Sequence, residues 1–403
     1  MKIAAIISEY NPFHKGHEYQ IRVTREKGHA THVIALMSGN FVQRGLPAII
    51  DKYRRAEMAI LGGADLVLEL PAVYALSSAE FFAEGSIRIL NALNGVDMLS
   101  FGSEEGNLDS LLPVAEILAQ EPDEFRELLK KELSEGHSYA KARNHALEKL
   151  YPELDVNFIQ SPNNILGIEY LKALIRTNSS IAPFTLKRKG KGYHDLELVE
   201  EEFASATALR QSILADGAIK NFIPHEIYEY IEQLKAEKYP FMTQEDYKDL
   251  LLYRLIAEED SLGNIQEASE GLNHRIISNL SSLKEDDVET FIDAIKTKRY
   301  ARTRISRILM QFLLSFDREP IDTLRRKTPN AVKILALNDR GREILSSLRK
   351  DREIDIVHNF GKRTDDFQSI DQKASRIYAL KNHAYDPRWD YTGYKPDEKS
   401  VQK

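Results

Sequence analysis

The stretch Ile3-Ala4-Ala5-Ile6-Ile7-Ser8-Glu9-Tyr10-Asn11-Pro12-Phe13-His14-Lys15-Gly16-His17 decides how the rest of this 403-residue chain is read. Ile3 to Ile7 is short, apolar and bounded by polar residues, the pattern of a buried strand. Pro12 fixes its own φ and biases Asn11 away from helical geometry, which makes a turn. Gly16 lacks a Cβ, so backbone there can lie close to a ligand. His17 to Lys27 reads as a helix with Glu18 in its first turn and Gly28 as terminator. A helix start with outward N–H groups is an anion site, and His14 and His17 add side-chain donors beside it. The expectation is a nucleotide-binding turn over Ile7, Ser8, Glu9, Tyr10, Asn11, Pro12, Phe13, His14, Lys15, Gly16 and His17, with both histidines on phosphate. A metal reading of the pair is weaker, because no third ligand of the kind zinc needs lies near in sequence.

Outward from that turn, short apolar runs alternate with helical patterns, as in a parallel sheet wrapped by helices. Strands are predicted at Ile3 to Ile7, His32 to Met37, Asp65 to Leu70, Asp97 to Phe101 and Pro183 to Lys187. Two helical stretches, Asp123 to Leu133 and Tyr139 to Leu150, have no strand between them and read as a helical insertion at about 120–150. In such folds ligands sit beyond the carboxyl ends of the strands, where this chain places Glu9, Ser38-Gly39-Asn40, Gly102-Ser103-Glu104 and Lys187-Arg188. Beyond Asp216 the pattern changes to helices without strands. The expected organisation is an α/β fold, a Rossmann-like parallel sheet over residues 1–216, followed by an α-helical second domain over 217–385 and an irregular tail over 386–403.

Apolar residues make up 42% and charged residues 29% of the chain, as in soluble globular proteins. No apolar run approaches a membrane span, and the first run is a strand rather than a signal peptide, so a cytoplasmic protein is expected. The absence of cysteine excludes thiol nucleophiles, disulfides and thiolate metal sites. The net charge of −7 does not suggest a nucleic-acid binder, yet the basic residues cluster. Lys296, Lys298, Arg299, Arg302 and Arg304 surround Tyr300, and Lys187-Arg188-Lys189-Gly190-Lys191 forms a second patch. The first could grip phosphates with Tyr300 available for stacking, or could be a solvated helix start.

Taken with Ser38-Gly39-Asn40-Phe41-Val42-Gln43-Arg44-Gly45, Phe101-Gly102-Ser103-Glu104 and Ser161-Pro162-Asn163-Asn164, the His14 to His17 motif resembles the bacterial tRNA(Met) cytidine acetate ligase family. That family is similar in its nucleotide-binding fold to the nucleotidylyltransferases with the HIGH motif. The resemblance implies two steps: acetate and ATP give acetyl-adenylate and pyrophosphate, then the N4 amine of the wobble cytidine of elongator tRNA(Met) takes the acetyl group. It also implies adenosine contacts at Gly102 and Asn163. Two rival classes are a small-molecule nucleotidylyltransferase and a non-catalytic nucleotide-responsive RNA-binding protein. The basic cluster disfavours the first, and the intact histidines disfavour the second.

The chemistry agrees with the residues at hand. Attack at the α-phosphate of ATP needs donors and positive charge more than a nucleophilic side chain. His14 and His17 are the catalytic candidates, and Arg188, with Lys189 beside it, suits phosphate contact. Ser205, Thr207 and Arg210 fit either a second phosphate motif or an ordinary helix cap. Acetate is already ionised at neutral pH and needs no general base. Asp65 and Glu69 read as structural, no protein metal site is expected, and magnesium is expected to come with ATP. No obligate protein partner is evident.

Overall fold

The computed structural model describes residues 1–188, 204–348, 352–361 and 365–394. Its strands are β1 (Ile3–Ser8), β2 (His32–Ser38), β3 (Phe41–Val42), β4 (Leu46–Pro47), β5 (Leu66–Leu70), β6 (Met98–Ser103), β7 (Ala182–Lys187), β8 (Ala331–Leu337) and β9 (Asp355–Val357). Seven of them form one sheet in the order β7-β6-β1-β2-β5-β8-β9, while β3 and β4 make a separate hairpin. Every residue of β2 and β5 is buried, as expected of central strands covered by helices on both faces. From β1 the chain builds outward through β2 and β5 on one side, then through β6 and β7 on the other. The carboxyl ends of β1 and its neighbours therefore open at a topological switch point, where such sheets bind ligands.

The five strands expected from the sequence occur with ends shifted by a residue or two. The insertion helices are Asp123–Ser134 and Tyr139–Leu150. From Ala206 to Arg325 the described chain is helical, including Arg302–Leu313, whose apolar face is buried. The reading of helices without strands beyond Asp216 does not hold, because β8 pairs antiparallel with β5, and β9 extends the sheet beyond it. The apolar core is correspondingly continuous from Ile3 to Tyr385, so residues 217–385 complete the sheet as well as add helices.

The tail is also built in. Asp390 is fully buried and meets Lys52 Nζ at 2.8 Å and Lys333 of β8, while Tyr53 OH donates to it at 3.0 Å. Trp389 and Tyr394 pack on Tyr53 with ring centroids 5.9 and 4.8 Å away. Glu69 binds the same Lys52 at 2.8 Å, and Asp65 pairs with Arg25 at 2.7 Å and accepts from Val33 N. Both acids are thus held by structural partners.

Candidate active site

The turn after β1 delivers two imidazoles to one place. Tyr10 takes φ 45°, and Tyr10, Asn11 and Phe13 are buried beneath the turn. His14 is the N-cap of the helix Lys15–Glu26, with an extended backbone. Its Nδ1 accepts from Gly16 N at 3.0 Å, and His17 Nδ1 accepts from His14 N at 3.2 Å, a capping box made by two histidines. The rings stack with centroids 3.7 Å apart at 25°, and Tyr10 and Phe13 flank His17 at 4.9 and 5.4 Å. Because a backbone N–H donates to each Nδ1, the proton of each neutral ring resides on Nε2. Burial, then the Arg188 charge, lowers His14 to about 3. Burial, His14 and Arg188 hold His17 well below the usual range. The pair is neutral at physiological pH and offers two Nε2–H donors.

One expectation changes here. The first N–H groups of the helix are not free: Lys15 N donates to Phe222 O at 2.9 Å, Gly16 N to His14 Nδ1, and His17 N to His14 O at 2.9 Å. The His14 ring commits only Gly16 N; the other two go to backbone carbonyls, of Phe222 and of His14 itself. What this helix start leaves to offer is the imidazole pair, backed by the positive end of the helix dipole.

Arg188 follows β7, its N–H bonded to Ser103 O at 2.9 Å. A Cβ at Gly102 would lie 3.0 Å from Arg188 Cγ, so the absence of a side chain there leaves room for the arginine stem. Lys189 lies outside the described residues. Asn163 N and Nδ2 both donate to Glu104 Oε1, at 3.3 and 2.6 Å, and Asn164 N donates to Oε2 at 2.8 Å. Glu104 thereby caps the helix Pro162–Arg176 and fixes the loop after β6 to it. Asn164 Oδ1 returns a bond from Glu105 N at 3.1 Å. Ser205 accepts from Ala208 N at 3.1 Å as an ordinary helix cap. Arg210 instead reaches the first turn, donating to Asn11 O at 2.9 Å and to Thr207 Oγ1 at 3.1 Å.

Three residues of the site escaped sequence reasoning. Arg44, at the tip of the β3–β4 hairpin, lies within electrostatic reach of Glu9, Arg210 and Arg188. Burial lowers it to about 10, opposed by Glu9. Arg44 and Arg210 thus gather around the Glu9 carboxylate at the end of β1, and Arg188, whose own counter-charge is Glu104, lies near Arg44. Gln43 N donates to Glu9 Oε1 at 3.0 Å, and Gly45, at φ 75°, lets the hairpin approach the helix Arg302–Leu313. A Cβ at Gly45 would sit 2.2 Å from Arg307 N. Arg55 is fully buried and donates to Ile50 O at 2.8 Å, Ser38 O at 3.0 Å, Glu9 O and Gly39 O, tying the ends of β1 and β2 together. Glu104 is the third. The quoted motifs contained all but Arg55, yet their spacing did not reveal what they bind.

The basic cluster of the helical segment is largely neutralised within the chain. Arg302 pairs with Glu289 at 2.6 Å and Asp293 at 2.5 Å. Arg304 donates to Glu267 O at 3.0 Å and lies 3.5 Å from Glu270, as does Arg299. Tyr300 OH donates to Glu270 O at 2.7 Å. Lys296 and Lys298 are exposed. The cluster opens the helix that braces the Arg44 hairpin, so it adjoins the site through one element.

Among magnesium-type ligands near the site, Glu104 has both oxygens on Asn163 and Asn164, and Glu9 accepts from Gln43 N with Arg44 and Arg210 beside it. This donor set does not build a cage for the ion.

The model of the family described as HIGH Nucleotidyl Transferase matches residues 1–390. A tRNA(Met) cytidine acetate ligase of Clostridium perfringens (strain SM101) is 42% identical over 402 residues, 97% of this chain and 98% of its own. One of Clostridium botulinum (strain Langeland) is 41% identical over 392 residues, 95% of each chain. The crystal structure of Thermotoga maritima TmcAL, apo, form I, superimposes with a TM-score of 0.91 at 32% identity over 98% of this chain and 99% of that one. Form II of the same protein, bound with alpha-thio ATP, gives 0.85 at 32% identity over 95% of each.

Proposed function

From the premise that this chain belongs to the HIGH nucleotidyl transferase family, and within it to the tRNA(Met) cytidine acetate ligases, we propose how its residues divide the work of that reaction. The enzyme activates acetate with ATP and ligates it to the cytidine of tRNA(Met). In the first step an acetate oxygen attacks the α-phosphorus, the bond to the β-phosphate breaks, and pyrophosphate leaves with its electron pair. His14 and His17 donate Nε2–H to the α-phosphate oxygens as charge gathers there. Being neutral, they neither compete for protons nor require a base. Arg188, Arg210 and Arg44 offset the triphosphate charge and hold the leaving pyrophosphate. Gly102 and Asn163, on the loop and helix that Glu104 joins, hold the adenosine.

In the second step the cytidine N4 amine attacks the acyl carbon and the anhydride bond to AMP breaks. The amine is a poor nucleophile because its lone pair is delocalised into the ring, and AMP as leaving group compensates. Lys296 and Lys298, with Arg299 at the rim, contact tRNA phosphates, while Arg302 and Arg304 hold the helix start in place. A tRNA substrate fits a cytoplasmic enzyme, and no helix among the described residues is long and apolar enough to cross a membrane.

The observation that carries this reading is the stacked, neutral histidine pair whose Nδ1 atoms are committed to backbone and whose Nε2–H groups remain as donors. The test is incubation with acetate, ATP and elongator tRNA(Met), followed by mass analysis of nucleosides. N4-acetylcytidine should form at the wobble position and depend on both acetate and ATP. Its absence, or its formation from another acetyl donor alone, would refute the assignment.

A further inference from the structure

The helical insertion carries a cluster that this chemistry does not use. Glu132 stands near the end of the helix Asp123–Ser134, His137 in the turn that follows, and His145 on the helix Tyr139–Leu150. His137 Nδ1 lies 2.8 Å and His145 Nδ1 2.9 Å from the same carboxylate oxygen, Glu132 Oε2. One ligand atom from each residue lies within 4.8 Å of the other two. The imidazole rings meet edge on, at 81° with centroids 5.1 Å apart. The side chains are 14%, 26% and 39% exposed for Glu132, His137 and His145, which leaves an ion a way in.

As a hydrogen-bonded arrangement, two Nδ1–H donors share one carboxylate oxygen. A dication uses all three atoms at once. We propose that Glu132, His137 and His145 bind a divalent cation of the zinc class, with solvent completing a tetrahedron. Two imidazole nitrogens and one carboxylate suit zinc, and they are a poor set for magnesium or calcium, which prefer oxygen. The proton balance is simple. Each neutral ring moves its proton from Nδ1 to Nε2 through solvent and gives its Nδ1 lone pair to the metal, so ring charge is unchanged. The ion would clasp the two insertion helices across the turn at Gly136, where φ is 87°. The second of these helices leads on to Asn163 and Asn164.

The test uses the full chain, stripped with a chelator and dialysed, titrated with zinc by calorimetry and with cobalt(II) by visible absorption. A single zinc per chain, tetrahedral cobalt bands and a higher melting temperature with zinc are expected. The H137A/H145A double variant should bind at least about 100-fold more weakly, beyond what losing an outer-shell partner costs, and zinc should no longer raise its melting temperature. Acetate-dependent pyrophosphate exchange should be unchanged, since the cluster lies outside the active site. Should the double variant misfold by circular dichroism, Glu132→Gln and His145→Asn give the same comparison singly. Zinc binding with equal affinity and stoichiometry in wild type and variants, or no saturable binding in wild type, would overturn the proposal.

Discussion

Replacing His14 separates two roles that the geometry gives one side chain. Its Nδ1 caps the first helix by accepting from Gly16 N, and its Nε2–H is a donor for phosphate. His14→Ala removes both, and His14→Asn restores an N-cap acceptor without reaching the phosphate. The cap is worth about 1 kcal/mol, so His14→Asn should be more stable than His14→Ala by about that amount. Both lose the 3.7 Å stack on His17, about 0.5–1.5 kcal/mol by general experience of ring pairs, and this cancels between them. A donor to developing charge contributes about 2.7–4 kcal/mol, so both variants should lose about 10²–10³-fold in acetate-dependent pyrophosphate exchange. Stability is read from urea unfolding and activity from kcat/KM for ATP. The pH dependence follows from the same contacts. The folded-state His14 is lowered from 6.5 to about 3, so below 6.5 the unfolded chain binds the extra proton. Stability from this residue is therefore full above 6.5 and declines as pH falls toward 3. Wild type should show this slope, and both variants a shallower one. Exchange by His14→Asn within about threefold of wild type would refute the donor role, and so would a wild-type activity inflection near 6.5 that His14→Asn abolishes.

Gly102→Ala should raise KM for ATP several-fold by crowding the Arg188 stem, and the effect should shrink when Arg188 is already alanine; simple additivity in that cycle would dismiss the contact. Lys296→Ala with Lys298→Ala should leave exchange intact, weaken tRNA acetylation and flatten its salt dependence, whereas Arg302→Ala should lower stability first; tRNA acetylation unmoved by the lysine pair would place the tRNA surface elsewhere. Asp390→Asn leaves Lys52 and Lys333 without their shared carboxylate and should cost about 3–5 kcal/mol in urea unfolding; a loss below about 1 kcal/mol would show that Glu69 suffices for both lysines.

Much of the sheet could be read from residues near one another in sequence. Alternating apolar runs and helical spacing are local, and they located β1, β2, β5, β6 and β7. The strand Ala331–Leu337 was missed because Lys333 interrupts its apolar run, and the groups that make that charge tolerable come from elsewhere: Asp390 in the tail and the antiparallel edge of β5. The histidines and Arg188 were legible as donors beside a turn. Their protonation was not, since it follows from which backbone N–H meets which ring nitrogen. Nor could the sequence foresee that Glu104 joins Asn163 and Asn164, or that Arg44 is carried to Arg188 and Arg210 on a hairpin. The basic cluster shows the converse: a basic run of sequence finds its counter-charges at Glu270, Glu289 and Asp293 once the helices pack.

On the proposed mechanism, the site at the end of β1 activates acetate on ATP before any tRNA is engaged. Pyrophosphate exchange into ATP by the purified protein, with tRNA omitted and acetate either present or absent, isolates that step. Exchange should require acetate and fall about 10²–10³-fold in His17→Ala, which removes one of the two Nε2–H donors. Exchange that proceeds equally without acetate, or that survives the loss of His17 intact, would contradict it.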